Sequence, residues 1–186
     1  MPKADTTIID PGASPLCLHI GGWEPRPGWK ILNIQPGPGV DFVGDCRNLS
    51  QFPDASVEQV YASHVYEHLP YNGGVLASAL KEAHRVLQPG GIFRISVPDL
   101  EICCRLFLAP PATVKDRFEV MRFIFGGQID AYDFHQVGLT FEFLGRFLQD
   151  AGFATIRRVE EFKLFEDSSS RRFHGVLISL NVEAIK

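Results

Sequence analysis

The stretch LHIGGWEPRPGWKILNIQ, residues 18–35, decides the fold of this 186-residue chain. An apolar run ends at Ile20, two glycines follow, and a second apolar run, KILNI, begins at Lys30. Only nine residues, Gly21 to Trp29, separate the two runs, and two of them are prolines. A parallel crossover normally takes about 10–12 residues or more and usually contains a helix. The sequence therefore predicts that the first crossover helix is missing and that a compact loop replaces it.

The composition indicates one globular domain. Hydrophobic residues make up 45% of the chain, and its length is sufficient for an ordinary core, so we expect residues 1–186 to form a single domain. No apolar run approaches the roughly 18–20 residues of a membrane span. The N-terminus lacks the apolar region of a secretory signal, and the four cysteines show no metal-finger spacing. We therefore expect a cytoplasmic protein without membrane contact, and the net charge of −4 argues against a nucleic-acid partner.

Short apolar runs alternate with helical patterns, which is typical of a parallel α/β sheet. Helical patterns lie around residues 76–87 and after the capping residues Thr113 and Thr140. The predicted strands are Leu16–Ile20, Lys30–Ile34, Asp41–Gly44, Val57–Ser63 and Ile92–Val97, and residues 154–162 and 175–184 predict a closing antiparallel pair. The fold class is therefore α/β: a Rossmann-like, doubly wound and mostly parallel sheet with an antiparallel C-terminal strand pair.

Such a sheet predicts where a ligand binds. Ligands of open parallel sheets lie outside the carboxyl ends of the strands, near the point where the strand order reverses. Gly21 and Gly22 would let a ligand approach the backbone there. Asp45 could accept a hydrogen bond from an adenine amine while a backbone N–H, next to Cys46, meets a ring nitrogen. A dinucleotide fits poorly, because pyrophosphate binding needs G-x-G-x-x-G leading into a helix. A cofactor without phosphates is favoured, and this points to S-adenosylmethionine.

Three longer stretches resemble class I S-adenosylmethionine-dependent methyltransferases of the type 11 kind. They are VGDCRNLSQFPDASVEQVYASHVYEHL (residues 43–69), LKEAHRVLQPGGIFRISVPDL (residues 80–100) and TFEFLGRFLQDAGF (residues 140–153). The resemblance runs from about residue 16 to residue 153 and is closest to a bacterial branch of the family. It implies that the chain is a methyltransferase that uses S-adenosylmethionine and acts on a small or medium organic acceptor.

The resemblance also implies which residues hold the cofactor. The glycine loop, here Gly21, Gly22 and Trp23, would face the methionyl part. The acid that follows the third strand, here Asp45 with Cys46 beside it, would meet the adenine.

The exit of the fourth strand and the end of the second complete the implied site. Ser63 and His64 would lie near the transferable methyl group. Gln35 stands where the family has the acid that holds the ribose diol, and a neutral amide loses the stronger, charge-assisted bond. With the shortened glycine motif, this leaves an alternative: a binding or scaffold protein that kept the fold and has a degenerate cofactor site.

HVYEH, residues 64–68, matches the H-x-x-E-H pattern of a group of zinc proteases. On a helix, His64 and His68 would share a face with Glu67 beside them. The zinc-hydrolase hypothesis needs that helix and a third ligand downstream, whereas Leu69 and Pro70 limit any helix here to little more than one turn. We therefore expect no metal site.

YDFHQVG, residues 132–138, carries the candidate catalytic pair. Asp133 would orient His135 as a general base, with His64 as a third candidate catalytic residue. The alternative is that Asp133 and His135 only make loop and cap hydrogen bonds. Transfer of a methyl group from a sulfonium needs mainly alignment and exclusion of water, and a base only when the acceptor arrives protonated. Acceptor choice would come from about residues 105–139.

Overall fold

The computed structural model describes residues 16–186. The helices are α1 (Val75–Val86), α2 (Leu100–Leu108), α3 (Val114–Phe125) and α4 (Phe141–Ala151), and 3-10 turns cover Tyr66–His68, Asn72–Gly74 and Ser168–Ser170. The strands are β1 (Leu16–Ile20), β2 (Trp29–Asn33), β3 (Phe42–Val43), β4 (Val57–Ser63), β5 (Leu87–Pro98), β6 (Thr155–Val159), β7 (Arg172–Phe173), β8 (Val176–Leu177) and β9 (Ser179–Ile185). None of the helices in this part of the chain is both long and apolar enough to span a bilayer.

Seven strands form one sheet in the order β3-β2-β1-β4-β5-β9-β6, and β7 and β8 form a separate hairpin. The first five strands pair in parallel, whereas β9 runs antiparallel to both β5 and β6. The strand order reverses between β1 and β4, so the crevice for a ligand is expected at their carboxyl ends. The predicted fold class is confirmed.

The connection between β1 and β2 contains no helix, as the nine-residue spacing predicts. Cys17 pairs with Trp29 and Ile20 with Leu32 in parallel register, and the residues between the strands form turns and irregular backbone. The Gly21 amide donates to the Leu32 carbonyl at 2.8 Å, which ties the start of the loop to the second strand.

One face of the sheet carries an apolar core beneath two helices. Leu76, Leu80 and Ala83 of α1 pack with Leu144 and Leu148 of α4 on the strands. The strand residues in this core alternate along each strand, as the period of two requires: Leu18, Ile20, Val60, Ala62, Phe93, Ile95, Val97, Leu180, Val182 and Ala184. We call this the helix-covered face.

The opposite face carries polar and aromatic side chains, and we call it the loop-covered face. His19 and Tyr61 point to this side, where Phe165 lies against both rings, with ring centroids 4.1 Å and 4.7 Å away. Phe165 belongs to the long connection from β6 to β9. Asp167, two residues later, accepts a hydrogen bond from the Tyr61 hydroxyl at 2.7 Å. Chain without regular structure therefore covers this part of the sheet.

The helix ends follow from local capping. Thr113 and Asp116 form a capping box at the start of α3, and Thr140 caps α4, which ends at Gly152 in the left-handed conformation. The side chain of Asp99 accepts from the amides that open α2. A second, smaller core joins α2 and α3 to the chain before β9 through Cys103, Val120, Phe123 and Ile178.

Candidate active site

A cavity of about 630 Å³ opens at the carboxyl ends of the central parallel strands, where the strand order reverses. Its size suits a drug-sized ligand. Its lining includes many of the residues predicted from the sequence, namely Gly21, Trp23, Gln35, Asp45, Cys46, His64 and Asp133. Gly22 and Ser63 instead line a neighbouring cavity of about 200 Å³, and His135 lines a third of about 280 Å³.

The two glycines of the first loop are required for different reasons. Gly21 has φ of +79°, a conformation that favours glycine, and a Cβ there would lie 2.5 Å from Cγ2 of Val65. Gly22 lies against the His19 ring, and a Cβ would come within 2.4 Å of its Nδ1 atom. The protein's own packing therefore accounts for both glycines, and the left-handed backbone adds a second requirement at Gly21, which also lines the cavity.

Asn33, which was not predicted as a site residue, holds the glycine loop in place. It is buried at the end of β2. Its side-chain Nδ2 donates to the Gly22 carbonyl at 3.0 Å, and its Oδ1 accepts from the backbone N–H of Gln35 at 3.0 Å. One side chain thus fixes both loops that border the cavity. The available signal was a polar residue that closes the apolar strand WKILN.

Asp45 lies on the cavity wall as an ionised group. Its Oδ1 accepts from the Arg47 amide at 2.9 Å and its Oδ2 from Arg47 Nε at 2.8 Å, with a further contact to Nη2. Burial opposes ionisation, but the hydrogen bonds and charge of Arg47 outweigh it and lower the pKa of Asp45. A carboxylate offers about four acceptor positions, so Asp45 can still accept from an amine in the cavity.

The cavity has an apolar rim. Its lining includes Trp23 and Ile34, from the chain that follows β1 and β2, and Ile129, Tyr132 and Phe134, from the loop between α3 and α4. All five side chains are exposed, Ile129 to 81%. Exposed apolar groups around a concave site are typical of ligand binding.

His64 leaves β4 in a strained conformation, with φ of +54°. Its Nε2 lies 2.9 Å from the Ser179 hydroxyl, which itself donates to the Ser168 carbonyl at 2.7 Å. Since that hydroxyl has a single proton, Nε2 of His64 must be the donor, and Nδ1 carries the lone pair. Burial lowers the pKa of His64 to about 3, with a further decrease from His135, so the ring is neutral.

Glu67 is the central residue that the sequence analysis did not assign to the site. Its side chain is 1% exposed, and within the described residues neither carboxyl oxygen has a hydrogen-bond partner. Oε1 lies 3.3 Å from Nδ1 of His64 and 3.9 Å from Nε2 of His135. Burial raises the pKa of Glu67 to about 8. The H-x-x-E-H spacing was the available signal.

The expected orientation of His135 by Asp133 is not formed. His135 Nδ1 donates instead to the Phe123 carbonyl at 3.1 Å, and the Asp133 carboxylate accepts from the Ile129 amide at 3.4 Å. The reason is the loop backbone, in which the Asp133 carbonyl accepts from Gln128 and turns the side chain toward the loop interior. Burial, with a contribution from His68, lowers the pKa of His135 to about 4.

The comparisons with known proteins agree with this fold. Many solved structures match this chain, and three that match most of it illustrate the similarity. The 1,6-didemethyltoxoflavin-N1-methyltransferase of Burkholderia thailandensis, solved with S-adenosylhomocysteine, is 16% identical, with TM-score 0.58 and coverage of 92% of this chain and 70% of that one. An S-adenosylmethionine (SAM)-dependent methyltransferase from Archaeoglobus fulgidus is 17% identical, with TM-score 0.57; the match covers 92% of this chain and 86% of that one. A possible exported protein from Bordetella parapertussis is 13% identical, with TM-score 0.56 and coverage of 91% and 61%, so this chain spans less than two thirds of its length.

The fold is thus that of the class I S-adenosylmethionine-dependent methyltransferases, and the resemblance predicted from sequence is confirmed. Residues 29–95, from β2 into β5, match the protein family described as a methyltransferase domain. A search of the curated proteins found no match.

Proposed function

We propose that the chain binds S-adenosylmethionine in the 630 Å³ cavity and transfers its methyl group to a small or medium organic acceptor. The observation that carries the proposal is one continuous cavity wall. It joins the glycine loop at Gly21 to the carboxylate of Asp45, at the point where the strand order reverses. One of the similar structures was solved with S-adenosylhomocysteine, which supports the choice of cofactor.

Each part of the cofactor has a proposed partner on this wall. Asp45, with the backbone near Cys46, would hold the adenine, and Gln35 would bond a ribose hydroxyl. Gly21 and Trp23 would border the methionyl part. Gly22 and Ser63 would act indirectly, since both line the neighbouring cavity. The cofactor supplies an activated methyl group on a sulfonium, so this chain's residues are left with alignment and the exclusion of water.

The acceptor would enter beneath the loop between α3 and α4. That loop contributes Tyr132 and Phe134 to the rim of the cofactor cavity. Behind it, the 280 Å³ cavity is lined by Arg122 and Arg171 and by His64 and His135. The charged lining carries both signs, since Glu119 and Asp133 also line this cavity and Glu119 pairs with Arg122 at 3.2 Å, so the lining does not select the charge of the acceptor. The two histidines are the proposed catalytic residues. Asp133 is proposed to shape the loop, since it lines both cavities without contacting His135.

The test is calorimetric titration of the full chain with S-adenosylhomocysteine. Asp45→Ala should weaken binding about 10- to 100-fold, because a hydrogen bond to a charged group contributes about 1.5–3 kcal/mol. Asp150→Ala is the matched control: this aspartate also pairs with an arginine, Arg146, but lies exposed on α4 away from the cavity. Absence of binding at millimolar ligand in a folded sample, or equal affinity of Asp45→Ala and wild type, would contradict the proposal.

A second candidate function is a binding or scaffold protein with a degenerate site. Two observations favour it: Gln35 replaces an acid, and Gly22 is accounted for by the His19 ring rather than by a ligand. The substitution Gln35→Glu separates the two functions. If the site is used, a charge-assisted bond to the ribose hydroxyls should raise affinity several-fold; if it is degenerate, neither Gln35→Glu nor Asp45→Ala changes the titration.

A further inference from the structure

Three side chains that can ligate a metal converge beside the proposed acceptor cavity. They are Glu67, His68 and His135, and one ligand atom from each lies within 4.8 Å of the other two. Glu67 and His68 come from the 3-10 turn after β4, and His135 comes from the loop before α4. The turn and the loop are joined by the Gln136 amide, which donates to the Glu67 carbonyl at 2.7 Å. A backbone hydrogen bond therefore holds the turn and the loop, and with them the three side chains, close together.

The carboxyl group of Glu67 lies among imidazole nitrogens, with Nδ1 of His64 3.3 Å and Nε2 of His135 3.9 Å from Oε1. It is buried to 1% exposure with both carboxyl oxygens unsatisfied. Burying a carboxyl group without hydrogen bonds is costly, and such groups usually serve a function or bind an ion. Oε1 lies 3.9 Å from Nε2 of His135. That separation is close to the roughly 3.4 Å expected for two ligands about 2.1 Å from one tetrahedral ion.

The histidines are oriented as metal ligands. Nδ1 of His68 lies 3.1 Å from the Phe134 carbonyl, and Nδ1 of His135 lies 3.1 Å from the Phe123 carbonyl. A carbonyl only accepts, so each Nδ1 carries the proton and each Nε2 keeps its lone pair. Metal-ligating histidines almost always donate their second ring nitrogen in this way. The two rings are perpendicular, with centroids 4.7 Å apart.

We propose that Glu67, His68 and His135 bind one divalent transition-metal ion. Two imidazoles and one carboxylate are the ligand set of catalytic zinc and of non-haem iron sites, in which at least one position stays open. This ion site would replace the expectation of a metal-free chain. It differs from the zinc-hydrolase hypothesis in its ligands, since His64 is not one of the three converging residues and its Nε2 donates to Ser179.

The position of the site suggests its role, and this step rests on the proposed function. His68 lines both the cofactor cavity and the 280 Å³ cavity, and His135 lines the second. An acceptor hydroxyl bound at the open position would lose its proton to water more readily. Its oxygen would then form the bond to the methyl carbon as the carbon–sulfur bond breaks and the sulfur keeps the electron pair. The substrate class is therefore a hydroxyl compound. Ligation uses the Nε2 lone pair of His135, so this role excludes His135 as the general base.

Cobalt titration of the untagged full chain, after removal of metal with a chelator, tests the site. We expect visible absorption that saturates at one Co²⁺ per chain and is displaced by Zn²⁺. His68→Ala and His135→Ala should each weaken binding at least about 10-fold. His174→Ala is the matched control, because that histidine is exposed and pairs only with Asp116 in the described part of the chain.

Glu67→Gln tests the carboxylate without changing its shape, and it should weaken binding to a similar degree. Because a buried position is altered, far-ultraviolet circular dichroism must show that the variant folds. If Glu67→Gln does not fold, the titration of His68→Ala, which changes a half-exposed position, tests the site instead. Unsaturable binding, or binding that all three ligand variants leave unchanged, would overturn the proposal. The titration contains no cofactor, so its failure is distinct from failure of the S-adenosylhomocysteine titration.

Discussion

The two faces of the sheet are packed by different means. The helix-covered face buries aliphatic residues, such as Leu18, Val60 and Ile95, beneath α1 and α4. The loop-covered face presents His19 and Tyr61 to a segment held by aromatic contacts and by the hydrogen bonds of one aspartate. The first kind of packing is almost entirely apolar, whereas the second uses polar groups as its attachment points.

The difference follows from the short first connection. Parallel crossovers are right-handed, and the strand order runs in opposite directions from β1 to β2 and from β4 to β5. A helix between β1 and β2 would therefore lie on the face opposite α1. That is the face on which Phe165 and Asp167 now lie. The chain after β6 thus covers part of the area left open by the missing helix.

The largest expected difference between the faces is in stability. Leu80→Ala, in the centre of α1, should lower the free energy of unfolding by about 2–5 kcal/mol, because it leaves a cavity in a close-packed core. Phe165→Ala should cost only about 1–3 kcal/mol, although it removes more atoms, because its ring is partly exposed. Urea unfolding of both variants measures this; equal losses would mean that the loop-covered face is an equally packed core.

This contrast also separates what the sequence could predict from what it could not. The seven strands of the main sheet, the caps at Thr113 and Thr140, and the missing helix depend on local spacing and were predicted. However, β5 begins at Leu87 rather than Ile92, and the β7–β8 hairpin was not predicted. The covering of His19 by Phe165 is a contact between residues far apart in the chain, and no local pattern encodes it. The same holds for the approach of His135 to Glu67. The position of Asp45 on the cavity was predicted because Asp45 follows β3 closely, with only Gly44 between them.

The loop-covered face should respond to acid through His19. Burial lowers the pKa of His19 to about 4, below the value of about 6.5 expected in the unfolded chain. Between these pH values the unfolded state binds a proton that the folded state does not, so stability falls as pH decreases from 6.5 to 4. At pH 4 the titration of this ring lowers the free energy of unfolding by about 2–3 kcal/mol.

His19→Gln removes this titration and should flatten the decrease in unfolding free energy over that range. Urea unfolding at several pH values measures the difference between variant and wild type. The matched control is His84→Gln: that histidine is only partly buried, so its removal should change the slope less than His19→Gln does. A variant curve parallel to that of wild type would show that His19 is not held neutral by its packing.

Asp167 should be the main attachment point of the covering segment. Its carboxylate accepts from the Tyr61 hydroxyl at 2.7 Å, the Ser63 hydroxyl at 3.0 Å and the Ser169 amide at 2.8 Å. Asp167→Ala should cost about 1–3 kcal/mol, because it removes the acceptor from a buried tyrosine. Tyr61→Phe should lower the free energy of unfolding by only about 1 kcal/mol, because it removes the hydroxyl itself and so leaves no buried donor without a partner. Thermal unfolding that ranks the two variants in the reverse order would contradict this role.

The smallest expected effect, on thiol reactivity rather than stability, compares the two faces without altering either. Cys46 packs in the core of the helix-covered face, and burial, with a contribution from Asp45, raises its pKa to about 12. Cys17 lies on the loop-covered side and is only partly buried, and Cys104 is exposed. A maleimide reagent at neutral pH reacts with the thiolate. It should therefore label Cys104 first, Cys17 slowly and Cys46 only after unfolding, as followed by peptide mass spectrometry. The variant Cys104→Ser removes the fast site and leaves Cys17 and Cys46 for comparison, together with the buried Cys103. Labelling of Cys46 before Cys17 in the folded chain would show that the helix-covered face opens more often than the loop-covered one.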